Sequence, residues 1–322
     1  MDRRAVRPDD GTDLVTRTDL TFTSHGSPVA AWRYTADDDG FAGPAGRPCV
    51  VMAHGFGATR DAGLEGFAEE LAAAGLDALV FDYRGFGASG GDRRQVADVP
   101  GQLHDYRAAV AFARGLDGVD PDRIVLWGVS FSGGHVFALA AEDSRIAATV
   151  AMTPASDGAA AALAIVKREG VPGALRSTVA GLRDVLSTRL GRGPVLVPLA
   201  AMPGELAALN APGAYEAYTG IAGETWRNEV AARAFLQLPL YRPGRAARRI
   251  DGPILVQIAD LDQSAPPAAA AAAAARAPRS EVRHYPCDHF DIYPGRPWHA
   301  AAVAHQLGFL RRHLAVRDAV TA

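Results

Sequence analysis

The sequence predicts an α/β fold, a doubly wound and mostly parallel sheet with an inserted helical cap, and three observations predict it. Short apolar runs alternate with helix-length segments between residues 49 and 152 and again between 254 and 312. Strands and helices in that rhythm build parallel βαβ units covered on both faces. One apolar run, 123–129, ends in a glycine-flanked serine that opens a helix. Between the two halves lie about a hundred residues with helical patches, several Pro and Gly breaks and no strong strand signal.

Each element has its own reason. Residues 19–24 and 28–34 read as two strands joined by the turn-like His25-Gly26-Ser27. The run 49–53 is continuously apolar and stops at a glycine-rich turn, which marks a buried parallel strand. A helix over 64–74 ends at Gly75, and 78–83 is a second buried strand. A helix from about 99 to 114 ends at Gly115. The strand 123–129, a helix over 132–141 and the strand 146–152 follow. The rhythm stops near Pro154 and resumes near Pro253 with a strand over 254–259. The alanine-rich run 268–275 is helix, since alanine is the strongest helix former and Pro278 ends it. A strand over 281–285 and a helix from about 298 to 312 complete the chain. The expected organisation is therefore a core of 1–153 and 250–322 with a cap of 154–249 over the ligand-binding edge of the sheet.

Composition excludes several classes. The chain has 322 residues, 48% hydrophobic and 21% charged, which is ordinary for a globular enzyme with a large core. A net charge of −3 leaves no basic surplus for nucleic acid. No apolar stretch reaches the roughly 18–20 residues that span a bilayer, and the polar N-terminus lacks the apolar region of a secretory signal. Cys49 and Cys287 are too few for a disulfide framework and read as reduced thiols of a cytoplasmic protein. His284 and Cys287 lack metal-site spacing, and no phosphate or dinucleotide fingerprint follows a strand, so no metal or cofactor is expected. The expected partner is a small acyl substrate, with a homodimer as the possible assembly.

The chemistry lies in four segments. In Gly128-Val129-Ser130-Phe131-Ser132-Gly133-Gly134, a sharp strand-to-helix turn exposes the Ser130 hydroxyl as a nucleophile. Such a turn brings the residues two before and two after together, and Gly128 and Ser132 are both small. Without a base, Ser130 would merely cap the helix. His54-Gly55-Phe56-Gly57 follows the first buried strand, so the Phe56 and Phe131 N–H groups can form an oxyanion hole. His289, in the loop after the last strand, is the expected base. The acid comes from Asp260 or Asp262, and Asp262 is preferred because it lies further into its loop; Asp260 can serve as a turn former. Asp291, on the base's own loop, is awkwardly placed to orient His289. In the cap, Trp226 and Arg227 are candidates for the pocket lining, against an amphipathic packing face. Asp82-Tyr83-Arg84 is expected to buttress the sheet edge.

These segments, together with Phe81-Asp82-Tyr83-Arg84-Gly85-Phe86-Gly87 and His289-Phe290-Asp291-Ile292-Tyr293, resemble bacterial α/β-hydrolases of the serine aminopeptidase-like and dienelactone-hydrolase-like groups. They are also similar to fungal polyketide transferases. The resemblance spans roughly residues 15 to 315, and the order Ser130, Asp262, His289 matches the triad order of that fold. It implies hydrolysis of an ester, thioester or related acyl bond, or transfer of the acyl group to an alcohol or amine. A binding protein that lost catalysis is the third reading. One departure is Ser132, where the usual pentapeptide has glycine. The fold hosts many chemistries, so the resemblance leaves the substrate open.

Overall fold

The apolar runs become the centre of one eight-stranded sheet in a computed structural model that describes residues 16–36 and 38–314. In chain order its strands are β1 (Thr16–Ser24), β2 (Ser27–Thr35), β3 (Arg47–Ala53), β4 (Asp77–Phe81), β5 (Val119–Val129), β6 (Ile146–Met152), β9 (Ile254–Ala259) and β10 (Ser280–Tyr285). The spatial order is β1-β2-β4-β3-β5-β6-β9-β10. β2 runs antiparallel to both its neighbours, β1 and β4, and the strands β4, β3, β5, β6, β9 and β10 are parallel to one another. All of β4 and β9, and β3 from Pro48 onward, are buried, as strands covered on both faces must be.

Helices α1 (Glu65–Ala73), α2 (Val99–Ala113), α3 (Phe131–Ala140), α7 (Pro267–Ala274) and α8 (His299–Leu314) supply the cover. β5 begins four residues before the expected start because Val119 pairs with Arg47 ahead of a register shift. The carboxyl ends of the parallel strands share one edge, with Ala53 beside Gly128, Val129 beside Met152 and Ala259 beside Tyr285. Loops leaving that edge carry residues 54–57, Ser130, Asp262 and His289.

Residues 154–249 hold α4 (Gly158–Arg189), α5 (Ala214–Ile221) and the short α6 (Ala234–Gln237). They also hold a two-residue pair, β7 (Leu196–Val197) with β8 (Val230–Ala231), too short to leave a sequence signal. Asp157 caps α4 by accepting the N–H groups of Ala159 and Ala160. Gly170, at φ 70° and ψ 180°, breaks α4 into two arms just before Pro172. Among the described residues no helix is long and apolar enough to cross a membrane.

Candidate active site

Ser130 sits at the hinge between β5 and α3 with φ 57° and ψ −114°, a left-handed backbone that a side-chain-bearing residue rarely adopts. The turn is held by Ser130 N–H donating to Met152 O (2.9 Å) and by the Ser130 carbonyl accepting from Ala155 N (2.8 Å) and Gly134 N (3.1 Å). A Cβ on Gly128 would lie 2.2 Å from the Ser132 carbonyl oxygen, so the close approach expected of such a turn is real and glycine is obligatory there. The Ser130 hydroxyl makes no capping bond to α3 and lines a cavity. Ser132 is more than small: its buried hydroxyl donates to the His54 carbonyl and lies 2.7 Å from Tyr83 Oη. That hydroxyl ties the elbow to two neighbouring loops.

The turn after β3 lies against the serine. A Cβ on Gly55 would stand 3.2 Å from Ser130 Cβ and 3.6 Å from its Oγ. Phe131 is the first residue of α3, so its N–H has no intrahelical acceptor. The Phe56 N–H donates to no backbone carbonyl among the described residues. The rings of Phe56 and Phe131 meet edge to face at 5.4 Å. Both peptides flanking Phe56 are pinned. His54 Nδ1 donates to Gly55 O (3.0 Å), and Tyr218 Oη donates to Phe56 O (2.7 Å).

Three imidazoles lie near this turn, and their surroundings separate them. His54 donates from Nδ1 and accepts the Tyr83 N–H at Nε2 (3.4 Å), and burial pushes its pKa down. His135 bonds Tyr241 and Gln102, and burial pushes it down to about 3. Both are neutral structural groups with no carboxylate partner. His289 differs: it lines the same cavity as Ser130, and its Nδ1 lies 2.6 Å from Asp262 Oδ2. Burial alone would disfavour its imidazolium. The charge and hydrogen bond of Asp262, helped by Asp288, outweigh that, and the His289 pKa rises above its ordinary value.

Asp262 is aimed by its own loop, its Oδ1 accepting from Ser264 N (2.7 Å) and Ala265 N (2.6 Å). Of the alternatives, Asp260 pairs with His284 at 2.7 Å instead of only shaping the turn. Asp291 accepts the Asp288 N–H. Asp82 is fully buried and bonds Arg60 and Ala88, a buttress behind the 54–61 turn.

The cavity has a volume of about 280 Å³. Its wall comes from the sheet edge and from 154–249, with Ala161, Ala162, Ile165 and Val166 of α4, Leu206, Leu209, Phe235 and Leu238 making it largely apolar. Glu169, Arg176, Glu205 and Asn210 are its polar members. Trp226 and Arg227 are not part of the lining. Trp226 packs tilted against Tyr218, ring centroids 5.4 Å apart, and Tyr218 is the one of the two that lines the cavity. Arg227 extends into solvent beside Glu229. Tyr218 was missed by sequence reasoning, because a tyrosine inside a short amphipathic helix reads as packing. No cluster of three or more metal-ligating side chains exists among the described residues.

Residues 48–194 match the family model described as alpha/beta hydrolase fold. The chain is 40% identical over 301 residues to the quorum-quenching protein AidA of Acinetobacter baumannii, covering 93% of this chain and 96% of that protein. It is 33% identical over 163 residues to the thiohydrolase aneE of Aspergillus aculeatus, about half of each chain. Among solved structures, the α/β hydrolase GrgF of Penicillium sp. sh18 superposes with a TM-score of 0.73 at 24% identity, over 93% of this chain and 99% of that one.

Proposed function

This chain belongs to the α/β-hydrolase family, and from that premise we propose that it is a serine hydrolase that cleaves an ester, thioester or related acyl bond through an acyl-enzyme on Ser130. The observation that carries the reading is the His289–Asp262 pair at 2.6 Å, opening on the same cavity as the Ser130 hydroxyl. Residues 154–249 act as the cap in this reading, and 1–153 with 250–322 as the core.

Ser130 Oγ attacks the acyl carbonyl carbon while His289 Nε2 takes the hydroxyl proton. Asp262 holds Nδ1–H and stabilises the imidazolium that forms. The carbonyl oxygen becomes an oxyanion facing the N–H groups of Phe56 and Phe131, donors worth on the order of 3 kcal/mol each in comparable sites. Collapse expels the leaving group, which collects the proton from His289. Water, deprotonated by His289, then attacks the acyl-enzyme and releases the acid and Ser130. The apolar wall favours an apolar acyl group of middle size.

A second reading keeps the acyl-enzyme and passes it to an alcohol or amine. It is favoured by a 25% identity over 316 residues to the polyketide transferase af380 of Aspergillus fumigatus. The test is hydrolysis of p-nitrophenyl esters of graded chain length, with and without an added alcohol or amine. Ser130→Ala should lower kcat by about 10⁴–10⁶, and undiminished turnover refutes the assignment. Ester or amide products formed in place of free acid select transfer.

A further inference from the structure

Twelve of the thirteen large apolar side chains that stand exposed among the described residues lie in 154–249, and only Leu261 lies elsewhere. Seven are on α4, with an eighth, Leu190, at its C-cap. On the second arm Leu175, Val179, Leu182 and Leu186 follow at spacings of four, three and four, which lines them along one face. On the first arm Ala161, Ala162, Ile165 and Val166 line the cavity, whereas Leu175, Val179, Leu182 and Leu186 of the second arm stand exposed and take no part in its wall. A water-soluble monomer rarely leaves so long an apolar stripe uncovered.

Charge decides what covers it. Over 154–249 there are twelve Lys and Arg against seven Asp and Glu, a net of +5 in a chain whose net is −3. Both acids of α4 are already engaged, Glu169 by Arg168 (3.2 Å) and Asp184 by Arg233 (2.7 Å). Lys167, Arg183, Arg189 and Arg192 are exposed, with no carboxylate partner among the described residues. We propose that the outer face of α4 docks on the surface of an anionic phospholipid bilayer, apolar stripe inward and arginines at the headgroups.

A second copy on the same face would bury comparable apolar surface, but it would set two strongly positive segments against each other. The apolar gain is common to both partners, so the sign of the charge separates them. Near an anionic leaflet each basic side chain adds about fivefold to partitioning, and the acidic remainder of the chain is turned away. Docking would also hold the cavity wall against the phase where apolar acyl compounds concentrate. That last consequence rests on the serine-hydrolase reading; the binding itself does not.

The test is flotation of the full chain with phosphatidylcholine vesicles and with vesicles that also contain phosphatidylglycerol. Binding is expected only to the second, weakening as salt is raised. Arg183→Gln with Arg189→Gln should lower that binding roughly twentyfold, and Leu182→Gln with Leu186→Gln should also weaken it. Neither pair lines the cavity, so both variants should keep the melting temperature and the fluorophosphonate labelling of Ser130. Loss of labelling in Ser130→Ala, with flotation intact, keeps the two proposals separate. Equal or absent binding to both vesicle types overturns the docking proposal. So does a concentration-dependent dimer in analytical ultracentrifugation that the leucine variants abolish, because the face then belongs to a second copy.

Discussion

His289 is the residue on which pH should act first. Its pKa is raised, against the effect of burial, by Asp262. General-base work needs the neutral ring, so kcat/KM should rise with pH through a midpoint shifted alkaline of an ordinary histidine. Asp262→Asn removes the charge and leaves the burial, so this limb should move acidward. Turnover should fall by up to about 10⁴ as the ring loses its orientation; a pH–rate profile checks both. The sign for stability is opposite. A folded pKa above the unfolded one makes the pair's contribution complete below the unfolded pKa and lost as pH rises through the folded one. Tyr218 acts through another group, since its hydroxyl fixes the Phe56 carbonyl at 2.7 Å. Tyr218→Phe leaves that acceptor short of a donor and loosens the peptide beside the oxyanion donor. We expect kcat to fall about tenfold with KM nearly unchanged, as for loss of one buried hydrogen bond; a rise in KM alone would speak against positioning. The Asp262–His289 contact and the cavity that His289 shares with Ser130 were legible in the sequence because residue type, chain order and strand-end location agree. Tyr218 was not, because its partner is a backbone carbonyl 162 residues away and leaves no pattern in the sequence. Trp226, expected among the lining candidates because of its place in the cap, packs behind Tyr218.

At the scale of elements, the strand–turn–helix around Ser130 depends on one missing side chain. Gly128→Ala would drive a Cβ to 2.2 Å from the Ser132 carbonyl. We expect a loss on the order of 3 kcal/mol, by overpacking that the turn cannot relax, read as a lower urea midpoint together with slower fluorophosphonate labelling. An unchanged midpoint would mean that the elbow can open. The buried strands β3, β4, β6 and β9 were readable from continuous apolar runs, because parallel strands covered on both faces leave no polar alternation. The β7–β8 pair was not readable, since two residues carry no period. The break in α4 was foreshadowed by Gly170 and Pro172, although its direction depends on what the two arms pack against.

For the whole molecule, the helical segment is fastened to the sheet edge at discrete points. Tyr218 reaches Phe56, Thr225 N and Oγ1 reach Asp61 (both 2.9 Å), and Ala231 N reaches Gln95 O (2.8 Å). The interrupted strand–helix rhythm predicts a helical segment here but none of its attachments. The left-handed backbone at Ser130 has a global consequence as well. Glycine accepts that geometry freely, while any residue with a Cβ is held there against its preference. Ser130→Gly should therefore be more stable than Ser130→Ala by about 1 kcal/mol in chemical denaturation, though neither can form an acyl-enzyme. A directed-evolution campaign scored on heat tolerance alone would favour erasing the proposed nucleophile, so libraries built on this scaffold need position 130 held constant and a turnover screen in every round.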